Sequence, residues 1–304
     1  MNPVNILSVF WQQNGVHMPV YLVRGAHNAL VDTGPPQAEK DYLAEELDKA
    51  GLTPGHVGFA LFTHAHADHM GGNAMLAAAG KTRFMIHEAD AIRMEAPGLA
   101  YDRYQAPLLE ALGKTPEEIA DGRPPAQGMP VARKLKDGER IDLGGVSLTA
   151  IHLPGHTDGS MGFYLETEGV LLIGDSLAGL SSPGGTFPII TDPDAYLHSI
   201  ERARSLPLSH IMGSHPFRGL HLPASTARTK TEIKEFLDDS AAFVHRLLET
   251  IDGLHFSPEE TLYQKTDRVI AAMPEELGFL PLSQARIPAF SLTTVFWTLN
   301  RLGK

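Results

Sequence analysis

Apolar positions along the chain recur at two spacings, and the spacing predicts the elements. From Val4 to Asp32, short apolar runs are broken at Asn14-Gly15 and Arg24-Gly25, which predicts strands joined by tight turns, with Asp32 at a strand end. Residues 37–50 are rich in Ala, Glu, Lys and Leu, with apolar residues at helical spacing and Gly51 as a helix-ending glycine, so a helix is predicted there. Residues 57–63 form an apolar, strand-like run that delivers the chain into His64-Ala65-His66-Ala67-Asp68-His69-Met70-Gly71-Gly72, and residues 73–79 read as helical. The histidine block therefore lies on a strand-to-helix loop, where α/β folds build sites.

Further along, residues 83–86 predict a strand and 88–95 a short helix. Between Pro97 and Gly128 the pattern weakens: five prolines and the pair Tyr101 and Tyr104 surround one helix at 108–112, and the segment reads as an insertion able to cover a site. Strands are expected within 131–151, around Lys136-Asp137-Gly138 and Leu143-Gly144-Gly145, and a hairpin at 161–166 and 170–173 ends in Gly174-Asp175-Ser176. A Gly/Pro/Ser loop at 181–188, a helix at 193–205 and a strand at 209–212 follow, the last running into Gly213-Ser214-His215. Beyond Leu222 the texture is helical only, near 226–251, 258–273 and 291–302. The expected organisation is a catalytic α/β domain over 1–222 and a helical C-terminal extension over 223–304. Mixed strands and helices followed by helices alone fit two sandwiched sheets flanked by helices.

Composition narrows the chemistry. With 43% hydrophobic and 20% charged residues among 304, and no repeat, the chain reads as an ordinary globular protein. A net charge of −11 gives no electrostatic footprint for nucleic acid. No cysteine is present, so disulfides, thiolate metal sites and a cysteine nucleophile are excluded, and any metal must rest on imidazole and carboxylate. The apolar stretch from Ile6 to Trp11 lacks a basic lead and a cleavage site, and no run of 18 apolar residues occurs. The expectation is a cytoplasmic, soluble protein acting on a small molecule, without nucleic-acid or membrane partners and with a homodimer left open.

Among 15 histidines, the cluster carries the chemistry. Three histidines and an aspartate within six residues must converge in one loop, and their donors suit zinc and comparable divalent ions. One loop cannot complete two coordination shells, and further candidates stand at other strand ends: His156 after Leu153-Pro154-Gly155, Asp175 after Ile173-Gly174, and His215 after Gly213-Ser214.

In these residues the sequence resembles the metallo-β-lactamase superfamily, over roughly residues 4–222. The resemblance implies an αββα sandwich, with one metal on His64, His66 and His156, a second on Asp68, His69 and His215, and Asp175 bridging them. It also implies that Asp32, in Val31-Asp32-Thr33-Gly34, orients a ligand histidine, and that Asp68 doubles as ligand and catalytic proton shuttle. The reaction so implied is hydrolysis, in which a metal-bound hydroxide attacks an ester, thioester or lactone of a small molecule. Two divalent ions are expected, zinc first; iron and manganese accept the same donors. The redox di-iron members usually carry a carboxylate where this chain has His66.

Substrate signals are sparser. The lactonases of the superfamily place a tyrosine three residues after the bridging aspartate, where this chain has Ala178. Glyoxalase II enzymes continue into a Gly/Cys-rich stretch that Ser176-Leu177-Ala178-Gly179-Leu180 does not match. Length and helical tail resemble the quinolone-signal thioesterases most, a fold-level analogy. Thioester or ester hydrolysis is the leading expectation; a mononuclear iron dioxygenase of the persulfide type, and a phosphodiesterase or ribonuclease of the same superfamily, are the alternatives. Tyr101, Tyr104, Phe187, Arg218 and His221 are the residues expected to line the pocket.

Overall fold

The computed structural model describes residues 4–11, 15–36, 42–126, 128–181 and 184–304. Strands β1 (Val4–Trp11), β2 (Val16–Val23), β3 (Asn28–Val31), β4 (Val57–Leu61), β5 (Arg83–His87) and β6 (Arg133–Leu135) form one sheet in that order. Its first three strands are antiparallel neighbours, and β3 to β6 run parallel. The second sheet takes β7 (Arg140–Asp142), β8 (Ser147–His152), β9 (Met161–Leu165), β10 (Val170–Gly174), β11 (His210–Phe217) and β12 (Ser225–Thr229), antiparallel except for β10 beside β11.

Alternation along the strands separates the layers. In β3, Ala29 and Val31 face the second sheet, while Leu30 faces outward; in β10, Val170 and Leu172 face the first sheet, and Leu171 and Ile173 face outward. The outward face of the first sheet is covered by α1 (Tyr42–Lys49), α2 (Asn73–Ala78) and α3 (Ala91–Glu95), through Leu43, Leu47, Leu76 and Met94. That of the second sheet is covered by α7 (Pro193–Arg204), α8 (Lys230–Gly253), α9 (Leu262–Ala272) and α10 (Pro288–Leu302), through Tyr196, Phe236, Phe243, Val269 and Val295. Each of these side chains contributes about 1.5–3 kcal/mol by leaving water. The result is the expected αββα sandwich with C-terminal helices, and no helix among the described residues is long and apolar enough to cross a membrane.

Three local expectations change. The segment 97–128 holds three helices rather than one: α4 (Pro97–Tyr104), α5 (Ala106–Ala111) and α6 (Pro116–Asp121). Texture becomes purely helical only after Thr229, because the polar run Ser225–Thr229 is an edge strand paired with β11, and α8 starts at Lys230 rather than near Thr226. His215 lies within β11 rather than beyond it. The first part of the predicted 37–50 helix and residues 182–183 of the 181–188 loop lie outside the described residues.

Candidate metal centre

The C-terminal ends of β3, β4, β8 and β10 meet at one edge of the sandwich, and each hands a polar residue to the same point. Asp32 follows β3, the 64–69 block follows β4, His156 follows β8 and Asp175 follows β10, while β11 carries His215. Gly174 permits this approach: its φ of +54° suits glycine, and a Cβ there would run into Thr63.

Three donor sets lie close enough to hold an ion: His64, His66 and His156; Asp68, His69 and His215; and His64, His69 and Asp175. In the first, His156 Nε2 is 3.2 Å from His64 Nε2 and 3.1 Å from His66 Nδ1. In the second, His215 Nε2 is 3.1 Å from Asp68 Oδ2 and 3.3 Å from Asp175 Oδ2. His69 Nε2 lies 3.6 Å from Asp175 Oδ2 and 3.7 Å from Asp68 Oδ2, so Asp175 stands between the two sets.

Hydrogen bonds behind the rings fix which nitrogens are free. Asp32 Oδ1 accepts from the Thr63 N–H, and Asp32 Oδ2 accepts from Thr63 Oγ1 and His69 Nδ1, each at 2.8 Å. Because the Thr63 hydroxyl spends its one proton on Asp32, it accepts from His64 Nδ1 at 3.1 Å, leaving His64 Nε2 as a lone pair. His156 Nδ1 donates to the Ile189 carbonyl at 2.9 Å, so its Nε2 is a lone pair as well. Asp32 holds this arrangement at φ +60°, a left-handed backbone costing about 1–2 kcal/mol, offset by the hydrogen bonds it accepts.

These residues fit metal ions. Unprotonated nitrogens facing one another across 3.2 Å repel unless a cation shares them. His69 Nε2 and Asp175 Oδ1 are buried without any hydrogen-bond partner, an expensive state for a polar atom. Charge divides the two sets. Burial first, and then neighbouring histidines, hold the His64 imidazole well below its ordinary pKa. Burial likewise dominates for His66, with His156 and Arg93 adding, and for His156, which keeps both rings neutral as ligands must be. For His69 burial acts downward, but the carboxylates of Asp68, Asp32 and Asp175 outweigh it and raise the pKa well above the usual range. His215 is pushed up to about 9 in the same way, against burial, by Asp175 and Asp68. For Asp68 and Asp175 burial acts upward, and their histidine partners outweigh it, so both are carboxylates at neutral pH.

Residues not singled out in sequence complete the support. Asp90, fully buried, accepts from Ala65 N and Thr157 Oγ1 through Oδ2 and from Gly159 N through Oδ1, bracing the His64 loop against the His156 loop. The Ile189 carbonyl is held in turn by α10: Thr294 Oγ1 accepts from Ile190 N at 3.0 Å and donates to Pro188 O at 2.6 Å. Asp90 has one sequence signal, a polar residue just past a strand end; Thr294 has none, because its partners lie more than a hundred residues away.

Of the five residues expected to line a pocket, Tyr104 lies on a cleft of about 560 Å³ that also includes His66. The other four are placed elsewhere. Tyr101 is buried with its hydroxyl donating to the Ile119 carbonyl, and Phe187 is fully buried with its ring centroid 4.6 Å from Phe279. Arg218 donates to the Leu277 carbonyl and lies over the Phe279 ring, and His221 is exposed past β11. Apolar burial claimed the first two and local packing the third, which residue type alone does not reveal. Ala178 is buried, and its N–H donates to Tyr196 Oη at 2.7 Å.

Two helix-flanked sheets with a histidine–carboxylate cluster at their strand ends define an αββα sandwich with a candidate metal site. A profile of the metallo-beta-lactamase superfamily matches residues 16–215, and the chain belongs to that family. The hydroxyacylglutathione hydrolase of Methylococcus capsulatus is 34% identical over 163 residues, covering 54% of this chain and 48% of that protein. The acyl-coenzyme A thioesterase MBLAC2 of Gallus gallus is 30% identical over 189 residues, covering 55% of this chain and 62% of that protein. Both matches span less than two thirds of the relative. A crystal structure of a metallo-beta-lactamase family protein from Thermus thermophilus superposes with a TM-score of 0.71 at 23% identity, covering 100% of this chain and 94% of that one, a likeness of fold.

Proposed function

We propose that this chain is a two-metal hydrolase, zinc its favoured ion, that cleaves a small thioester. The observation that carries the reading is the convergence of seven donor residues into three sets, with the unprotonated Nε2 atoms of His64 and His156 facing each other at 3.2 Å and with His69 Nε2 and Asp175 Oδ1 buried without a hydrogen-bond partner. Ions held there would act as Lewis acids on the scissile carbonyl and lower the pKa of a water to about 7. The chain's own residues do the rest. Asp32, Thr63 and the Ile189 carbonyl hold the rings so that no reorganisation is needed during reaction. Asp68, ionised and only partly buried, offers a carboxylate that takes a proton from the attacking water and returns it to the leaving thiol. The buried rings of His64 and His69 close the inner end of the site to bulk water.

The choice of thioester is supported by the two named relatives, a hydroxyacylglutathione hydrolase and an acyl-coenzyme A thioesterase. The test is a panel of thioester, ester, lactone, phosphodiester and β-lactam substrates on zinc-loaded protein. Thioesters are expected to turn over fastest. Turnover confined to phosphodiesters, or one bound iron with oxygen uptake and no hydrolysis, would overturn the reading.

A further inference from the structure

The cleft beside His66 has a composition that names its occupant. One wall comes from α4 and α5, with Tyr104 and Leu108; the facing wall is the groove side of α10, with Phe290 and Trp297. These four side chains are half-buried rather than buried, whereas the opposite face of α10 is sealed into the core through Leu292, Val295 and Leu299. An apolar slot is therefore left open between two helical elements.

Two of the three cations at the slot are paired. Its lining includes Arg93, Arg103 and Arg301 together with Asp158 and Asp192. Asp158 accepts from the Tyr104 hydroxyl at 3.1 Å, and Arg301 pairs with both Asp192 and Asp194 at 3.1 Å. Arg93 stacks 3.8 Å from the Tyr104 ring centroid, with Asp90 at 3.4 Å. Arg103 lies 5.1 Å from the same centroid and is exposed, with no carboxylate partner among the described residues. A cation without a direct ion-pair partner among the described residues thus stands at the rim of an apolar slot that leads to the candidate metal centre. At the ~30 Å³ that water occupies per molecule in the liquid, the volume holds roughly 20 non-hydrogen atoms.

We propose that this cleft binds an apolar, preferably aromatic, organic anion: the body lies between Tyr104 and Leu108 on one side and Phe290 and Trp297 on the other, and its carboxylate pairs with Arg103. The inference rests on the hydrolase reading only in taking this anion as part of the substrate, with its reacting carbonyl directed toward His66. A neutral acyl chain makes no use of the Arg103 charge, and a polar anion makes no use of the apolar walls, so the two features together favour an amphipathic ligand.

The test uses ¹⁵N-labelled, zinc-loaded protein titrated with 1-naphthoate and, separately, with neutral 1-naphthalenemethanol of similar size. The chain has two tryptophans, Trp11 and Trp297, whose indole N–H signals are told apart with Trp297→Phe. Naphthoate is expected to move the Trp297 signal and leave Trp11 in place, and to bind at least fivefold tighter than the alcohol. Arg103→Gln is expected to weaken naphthoate five- to tenfold, to bring the two probes to equal affinity and to leave the zinc content unchanged. An unmoved Trp297 signal, or equal affinity of the two probes for the wild-type protein, overturns the proposal. So does naphthoate binding that ignores Arg103→Gln and vanishes when zinc is removed, because the carboxylate is then held by the metals. Naphthoate binding as expected, in protein that hydrolyses no thioester, upholds the cleft assignment while removing the hydrolase reading.

Discussion

The metal-donor cluster and the cleft share His66, yet they are built from opposite materials. In the cluster every donor lies on a strand or in the loop that follows one, most are buried, and the rings of His64, His69 and His156 are oriented by hydrogen bonds on their far sides. In the cleft the walls are helices from an insertion and from the chain's end, and the side chains are half-exposed. The difference separates two jobs. Chemistry demands donor atoms placed to within a fraction of an ångström, which sheets supply; substrate choice tolerates, and is varied by, elements laid over that scaffold. Perturbing the two regions should therefore give distinct signatures.

The largest effect is expected from His66→Ala, which removes a donor from the cluster: bound metal and hydrolysis should fall together, with kcat/KM down at least about a thousandfold, roughly 4 kcal/mol of transition-state stabilisation. Metal analysis alongside kinetics checks it, and full activity with the metal still in place sinks the assignment. Next is Asp32→Asn. Asparagine tolerates the left-handed backbone at φ +60°, so the fold survives while the acceptor for His69 loses its charge. Zinc affinity should drop about 10- to 100-fold, measured by competition with a chromophoric chelator; an unchanged affinity removes Asp32 from the account.

The two halves of the cluster should also differ in pH dependence. His64, His66 and His156 are depressed and already neutral at pH 7, so their half takes up metal without releasing protons. His69 and His215 are raised, the latter to about 9, so in metal-free protein they hold protons that an incoming ion must displace. Affinity of that half should therefore strengthen with rising pH, by about tenfold per unit for each proton displaced, and the His215 part should level off above pH 9. Zinc titrations at pH 6.5, 7.5 and 8.5 check this; two equally pH-independent sites contradict it. The smallest effect belongs to α10, which serves both regions. Thr294→Val leaves the cleft face intact but loosens the Pro188–Ile190 segment behind His156, and zinc affinity should weaken about fivefold, near the 1 kcal/mol of one hydrogen bond. Thr294→Ser should restore it, and a thermal shift with no change in zinc affinity would assign Thr294 to stability alone.

The same contrast explains what was legible in the sequence. The sandwich and the seven metal-ligand candidates could be read because apolar runs end abruptly on histidine or aspartate, and period-2 alternation fixes which face of each strand is covered. The insertion could not. Pro97, Pro107 and Pro116 look like breakers but sit in the first turns of α4, α5 and α6, where a missing N–H costs nothing, and Thr115 with Glu118 forms a capping box that starts α6. Strand β12 escaped because Ser225–Thr229 has no apolar alternation; pairing with β11 and the buried Arg228 guanidinium, which donates to the Phe217 and Pro223 carbonyls, hold it in place. The cleft was illegible for the same reason, since Tyr104 and Trp297 meet only through the tertiary fold.

The stoichiometry of metal binding tests the two-metal reading most directly. Chelator-stripped protein titrated with zinc is predicted to bind two equivalents, and His215→Ala, which strips one donor set and spares His64, His66 and His156, is predicted to bind one. A single equivalent in the wild-type protein, or two in His215→Ala, would contradict it.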